Sequence, residues 1–234
     1  MTNLLPVLSL GFALGVTHAA DADHVVAVST MVGDRGPNAV PKGARARAFA
    51  TAARIGTFWG AGHTSSVLLA GGAIIAFRLV VPPTLGMTLE LLVSVMLVAL
   101  GISSLRRARR AASEKTSTEG TSENRGLRSF GVGAMHGLAG SAAVALGILS
   151  QTPSALAGIG YLACFGVGTL VGMLLLTTVM ALPLAVASHK IGRALHVAAG
   201  VASIGVGLVL FATIGHELLA HTLGWDSISS APTR

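Results

Sequence analysis

Charge is scarce in this sequence. Asp, Glu, Lys and Arg make up 11% of its 234 residues, against about 25% in a typical soluble domain. Such a composition excludes an ordinary water-exposed surface. Cysteine occurs once, as Cys164, which excludes an internal disulfide framework, a CxxC redox pair and a thiolate metal cage. Membrane electron carriers that work through paired thiols are excluded with them. No GxxxxGK[ST] loop occurs, so ATP hydrolysis by that route is excluded. No Lys or Arg precedes the first apolar run and no clear cleavage site follows it, so a removable signal peptide is not expected. Aromatic residues amount to only 4%.

What remains is apolar and small. Hydrophobic residues are 52% of the chain, glycines number 30, and the mean hydropathy is +0.74. Small residues let helices approach closely in lipid, whereas in water so much glycine would weaken them. A membrane-spanning helix needs about 20 mostly apolar residues. Six stretches qualify: Leu4–Met31, Arg54–Val81, Gly86–Leu105, Phe130–Leu149, Ala155–Ala187 and Ala194–Leu219. The first, second and fifth are long enough to tilt or to contain a break, and Pro183 is expected to kink the fifth. The expected fold class is therefore an all-α integral membrane protein with about six transmembrane helices.

The formal charge of +7 could suggest nucleic acid, but its placement argues for lipid. Arg35, Lys42, Arg45, Arg47 and Arg54 lie between the first two spans. Arg106, Arg107, Arg109, Arg110, Lys115, Arg125 and Arg128 lie between the third and fourth, and Lys190 and Arg193 between the fifth and sixth. Fourteen of the sixteen basic residues thus occupy alternating loops, and the intervening turns are expected to hold none. The positive-inside rule places those loops in the cytoplasm and both termini outside, and the expected location is a bacterial inner membrane. The Ser-, Thr- and Glu-rich stretch Ser113–Asn124 reads as a flexible linker. The expected organisation is a first three-helix unit over 1–110, a cytoplasmic linker over 111–128 and a second three-helix unit over 129–234.

The two units resemble each other. Gly15-Val16-Thr17-His18 aligns with Gly133-Ala134-Met135-His136, and Phe58-Trp59-Gly60-Ala61-Gly62 with Cys164-Phe165-Gly166-Val167-Gly168. Gly60 to Gly101 and Gly166 to Gly207 both span 41 residues. Three helices per unit is odd, so the second copy would enter the membrane from the opposite side. Such inverted repeats are a common plan for transporters, with the binding site where the repeats meet.

The chemistry concentrates in Thr17-His18-Ala19-Ala20-Asp21-Ala22-Asp23-His24, inside the first apolar run. An Asp at the centre of a membrane helix costs on the order of 2.5–3.5 kcal/mol. No Lys or Arg sits in the middle of a helix to compensate. A bound divalent cation would, and imidazole with carboxylate suits nickel, cobalt or zinc. At about 100° per residue, His18, Asp21 and His24 share one arc while Asp23 points elsewhere. Either Asp23 serves a second partner, or the helix is broken here so that backbone groups also face the ion. The competing reading is a hydrogen-bonded network that only ties helices together. Four ionisable residues within seven positions, without a basic partner, favour the ion.

Two further motifs join it. His63 follows Phe58-Trp59-Gly60-Ala61-Gly62 and precedes Thr64-Ser65-Ser66, a candidate second ligand or relay. His136, in Met135-His136-Gly137-Leu138-Ala139-Gly140-Ser141, matches His18 in the repeat. The candidate metal residues are thus His18, Asp21, Asp23, His24, His63 and His136. His216-Glu217-Leu218-Leu219-Ala220-His221 imitates a zinc-protease motif, but its histidines are five apart instead of four and leave one helix face. His189 and His196 fall near the membrane edge and carry no expected role.

The run from His18 to His24 resembles the HX4DH motif of the nickel/cobalt transporter family, and Phe58–Ser66 resembles its second, aromatic Gly-His-Ser/Thr motif. The stretch Met135–Ser141 is similar to the His-Gly-Leu-Ala-Gly-Ser run of the short, six-helix UreH-type (urease accessory) members. The resemblance implies a permease for Ni²⁺ or Co²⁺, with His18, Asp23, His24 and His63 at the family's functional positions and Asp21 matching its DADH form. The longer members carry eight helices and a later acidic motif. Here the matching stretch, Phe165-Gly166-Val167-Gly168-Thr169-Leu170, has no acid.

The expected function is a non-enzymatic permease with the metal ion as cargo and no permanent cofactor. Its expected partners are that ion, membrane lipid and a urease or hydrogenase maturation system, without nucleic acid. An inside-negative potential of 100 mV favours entry of a dication by about 4.6 kcal/mol, roughly 10³-fold. The linker lacks the histidine run often carried by resistance exporters of related type, which favours uptake. The alternatives are an accessory or sensor subunit delivering nickel to metalloenzyme maturation, and an intramembrane metallo-hydrolase.

Overall fold

The computed structural model describes residues 4–32, 44–113, 122–149, 154–186 and 189–223, and these are helical throughout apart from short turns. The first apolar run forms two helices, α1 (Leu5–His18) and α2 (Ala22–Val32), bent by 55° at the break between them. Pro6 sits in the first turn of α1, where its missing N–H breaks no intrahelical bond. The break contains no Gly or Pro. Instead the N–H of Ala20 bonds the carbonyl of Thr17 at 2.9 Å and that of Asp21 bonds His18 at 3.1 Å, a tightening to three-residue spacing. A new helix then starts as Val25 N–H bonds the Asp21 carbonyl at 2.9 Å. Asp21 and Asp23 favour such a start, because the partial positive charge at a helix N-terminus attracts carboxylates.

The second run forms α3 (Ala44–Ser66), a π-helical stretch (Val67–Gly71) and α4 (Gly72–Phe77). The π stretch begins directly after His63-Thr64-Ser65-Ser66, and such bulges occur frequently at functional sites. α4 ends four residues before Val81, earlier than the hydropathy predicts, because Arg78 takes a left-handed conformation (φ 50°). Leu79 N–H then caps the Ile74 carbonyl at 3.0 Å. Arg78 therefore lies in the turn that was expected to hold no basic residue.

The remaining helices are α5 (Pro83–Ser113), α6 (Ser122–Leu149), α7 (Ala155–Val186) and α8 (His189–Leu223). Pro83 occupies the first position of α5, where its fixed φ is already helical. Ser154 caps α7, its hydroxyl accepting the Ala157 N–H at 3.2 Å. α7 continues through Pro183 and ends at Val186. Both ends of the expected linker are helical: 111–113 closes α5 and 122–128 opens α6, while 114–121 lies outside the described residues.

The helices pack as α1 on α7, α3 on both α6 and α7, and α5 on α8, with α2 reaching α8, α5 and α7. The approaches are closest at glycines. A Cβ on Gly15 of α1 would collide with the Phe165 carbonyl of α7, and one on Gly133 of α6 with the Trp59 carbonyl of α3. Hydrogen bonds between helices add to the packing: Ser203 on α8 donates to the Leu97 carbonyl of α5 at 2.8 Å, and Thr64 on α3 to the Gly166 carbonyl of α7 at 2.8 Å. The core around α2 includes Ala27, Val28, Met31, Trp59, Leu97 and Met173. Many large apolar side chains, among them Leu69, Leu175, Leu208, Val209 and Phe211, face outward.

Among the described residues, four helices are long and apolar enough to cross a membrane, within Phe49–Phe77, Pro83–Arg109, Ala155–Leu182 and Ile191–Leu223. The bent pair α1–α2 makes a fifth if it is counted as one broken span.

Candidate metal site

The polar residues of the first apolar run lie at the break between α1 and α2. His18 ends α1, Asp21 lies in the break, and Asp23 and His24 open α2. His18 Nδ1 pairs with Asp21 Oδ2 at 2.8 Å. Its Nε2 faces Nε2 of His63, from α3, at 3.4 Å. Asp23 turns the other way: Oδ1 accepts the His24 backbone N–H at 2.9 Å, and Oδ2 lies 3.0 Å from Nε2 of His136 on α6. Both sequence alternatives are therefore realised, since the helix is broken and Asp23 has a second partner. His18 and His24 meet as the helical arc implied, whereas Asp21 reaches His18 alone and keeps 56% of its side chain exposed.

The four imidazoles form one continuous cluster of edge-on and tilted contacts. Ring centroids are 4.8 Å apart for His18 and His24, 5.3 Å for His18 and His63, 5.6 Å for His24 and His63, and 4.6 Å for His24 and His136. His24, His63 and His136 are buried. All six sequence candidates thus gather at the break, drawn from α1, α2, α3 and α6. His216, Glu217 and His221 lie exposed in the last turns of α8.

Pairing within the cluster is incomplete. Both ring nitrogens of His24, Nδ1 of His63 and Nδ1 of His136 are buried without a hydrogen-bond partner. Leaving such a group unsatisfied costs about 1–3 kcal/mol. Two sets of three side chains that could hold a metal ion have their donor atoms within 4.8 Å of one another: His18, His24 and His63, and Asp23, His24 and His136. For two nitrogens bound to one ion at about 2.0–2.1 Å with a tetrahedral angle, the separation is about 3.4 Å, which is the His18–His63 spacing.

Two residues escaped selection from the sequence. Trp59 is fully buried, its ring 6.3 Å from His24 and 5.8 Å from His136. Phe165 lies 5.3 Å from His18. Both are carried by the aligned motifs, and the repeat itself was the signal that could have found them.

Residues 25–209 match the family described as the cytochrome c biogenesis protein transmembrane region. The chain belongs to this family. It is a multi-pass membrane protein built on that helical frame. The match starts immediately after His24, so membership rests on the frame and on the segments bearing His63 and His136, without the first motif. With Cys164 as its one cysteine, the chain cannot form an internal dithiol pair, and its polar cluster is imidazole and carboxylate instead. The urease accessory protein UreH of Bacillus sp. (strain TB-90) is 34% identical over 198 residues, covering 81% of this chain and 82% of that protein. No solved structure matches.

Proposed function

We propose that the chain is a permease that carries a divalent transition-metal ion, Ni²⁺ foremost and Co²⁺ by the same ligands, into the bacterial cytoplasm. The observation that carries this reading is the convergence of four imidazoles and two carboxylates at a helix break inside an apolar bundle, with four buried imidazole nitrogens that make no hydrogen bond. Isolated polar groups in that setting are costly, and a passing dication accepts their lone pairs and offsets the carboxylate charge. Similarity to a protein named for urease accessory function supports nickel as the ion, as does the resemblance to the nickel/cobalt transporter family.

The frame suits transport. In this reading α6 is a sixth span and the two units are inverted repeats in the inner membrane, with both termini outside. Matched contacts support the repeat. Gly15 faces Phe165 as Gly133 faces Trp59, Gly168 faces Phe12 as Gly62 faces Phe130, and Gly101 faces Gly200 and Ile204 as Gly207 faces Ser94 and Val98. Each pair follows the sequence alignment of the units. A broken helix at their junction is the arrangement in which transporters hold ions, and rocking of one unit against the other would expose the cluster to each side in turn.

A second reading has one observation in its favour, the accessory name of the relative. In it the chain passes nickel to a urease maturation system without accumulating it. Radioactive Ni²⁺ uptake by cells expressing this chain alone separates the two. Accumulation over vector controls, competed by Co²⁺ and lost in His24→Ala at unchanged membrane expression, is expected. Binding without accumulation would leave the accessory reading in its place.

A further inference from the structure

We infer that the cluster is two ion stations sharing His24, and that the ion crosses by exchanging ligands around that one ring. The inference rests on the permease reading and deepens it. The first station is His18, His24 and His63, and the second is Asp23, His24 and His136. His24 lies between them, with its ring 4.8 Å from that of His18 and 4.6 Å from that of His136. Both its nitrogens are buried and free of hydrogen bonds, so it is able to serve either side. His18 and Asp23 are each tied to a different carboxylate or imidazole, which keeps the stations distinct: His18 to Asp21 and Asp23 to His136.

The stations differ in access and charge. Exposure falls from the Asp21 carboxylate at 56%, to the His18 side chain at 24%, to the His24 side chain at 1%, and rises again to 29% at Asp23 on the far side of that ring. An ion is thus received at Asp21 and His18, passes inward to His63 and His24, and is then taken over by Asp23 and His136. The first station offers three imidazoles, while the second adds the Asp23 carboxylate, 29% exposed, beside the buried His136, so the dication meets a carboxylate once it has passed the buried His24. Because His24 stays in contact throughout, the ion is never without protein ligands between stations. Two dications at such close quarters would repel strongly, so one station is filled at a time. The first station draws its ligands from α1, α2 and α3, while the second is closed only by His136 of α6, so the transfer engages the second unit.

The test uses the full chain purified in lipid nanodiscs, with Ni²⁺ binding by calorimetry and ligand number by X-ray absorption, beside Ni²⁺ uptake into proteoliposomes. Wild type is expected to bind one Ni²⁺ per chain. His136→Ala keeps the first station, so its Kd stays within about threefold of wild type while uptake falls at least 100-fold. His18→Ala keeps the second station and gives the same split. His24→Ala loses both binding and uptake. His136→Gln retains a donor for Asp23 and stands in should the Ala variant fail to fold. Abolished binding in both the His18 and His136 variants, wild-type uptake in the His136 variant, or two ions bound per wild-type chain would overturn the two-station arrangement. A wild-type chain that binds no Ni²⁺ would overturn the permease reading instead.

Discussion

His18 and His63, 45 positions apart in sequence and on different helices, face each other nitrogen to nitrogen at 3.4 Å. Neither ring gains from that meeting unless a proton or an ion lies between the two nitrogens. Groups acting on one ion are expected to be non-additive. His18→Ala and His63→Ala should each lower Ni²⁺ uptake by at least about 100-fold, and the double variant should lower it no further. A product of the two losses, measured by initial uptake rates at equal membrane expression, would mean that the histidines act independently.

Close helix approach makes a sharp prediction for two neighbouring glycines of α6. A methyl group on Gly133 would meet the Trp59 backbone carbonyl, while one on Gly131 meets nothing within 4 Å. A backbone carbonyl cannot rotate aside as a side chain can, so α3 and α6 must separate. Overpacking of this kind costs about 1–3 kcal/mol, whereas Gly→Ala at an open helical position gains roughly 0.5–1 kcal/mol. Gly133→Ala should therefore lower the Tm of the purified protein and Gly131→Ala should hold or raise it. Equal Tm values for the two variants would show that the α3–α6 approach is looser than described.

Trp59 offers an optical report on the site. The chain has two tryptophans, and the ring of Trp59 lies 5.8 Å from His136 and 6.3 Å from His24. In a Trp225→Phe background, the remaining emission comes from Trp59 alone. Adding Ni²⁺ should quench it saturably, at the Kd found by calorimetry, and His24→Ala should remove the effect. Trp59→Ala is expected to destabilise by about 3–5 kcal/mol, because a large ring leaves the core.

The candidate residues on the broken helix were legible in the sequence because ionisable residues cannot hide in an apolar run. His18, Asp21, Asp23 and His24 announce themselves by cost alone, and their angular spread already required either a break or a second partner for Asp23. That the partner is His136 was not legible, since 113 residues separate them and periodicity within one helix carries no information about its neighbours. The repeat alignment placed His136 opposite His18 but could not show that it meets Asp23 and His24. Helix ends were also poorly legible. Hydropathy marks the apolar span, and α5 continues past Leu105 through Arg106–Arg110 to Ser113 because a helix needs no lipid to continue. The π stretch at Val67–Gly71 has no composition that sets it apart from the α-helix on either side.

The number of crossings decides the sidedness of the whole chain, and the charges predict its outcome. Counting α1–α2 as one broken span, four further apolar spans give five crossings, which would put the termini on opposite faces. With α6 as a sixth, both termini share the outer face and the Arg-rich segment after α5 lies in the cytoplasm. Alkaline phosphatase fused after Leu223 should then be active, while a fluorescent protein at that position stays dark. Fusions truncated at Arg110, or placed near Lys190, should give the reverse pair. A fluorescent fusion after Leu223 would establish an odd number of crossings, and an inverted three-plus-three arrangement could not survive that result.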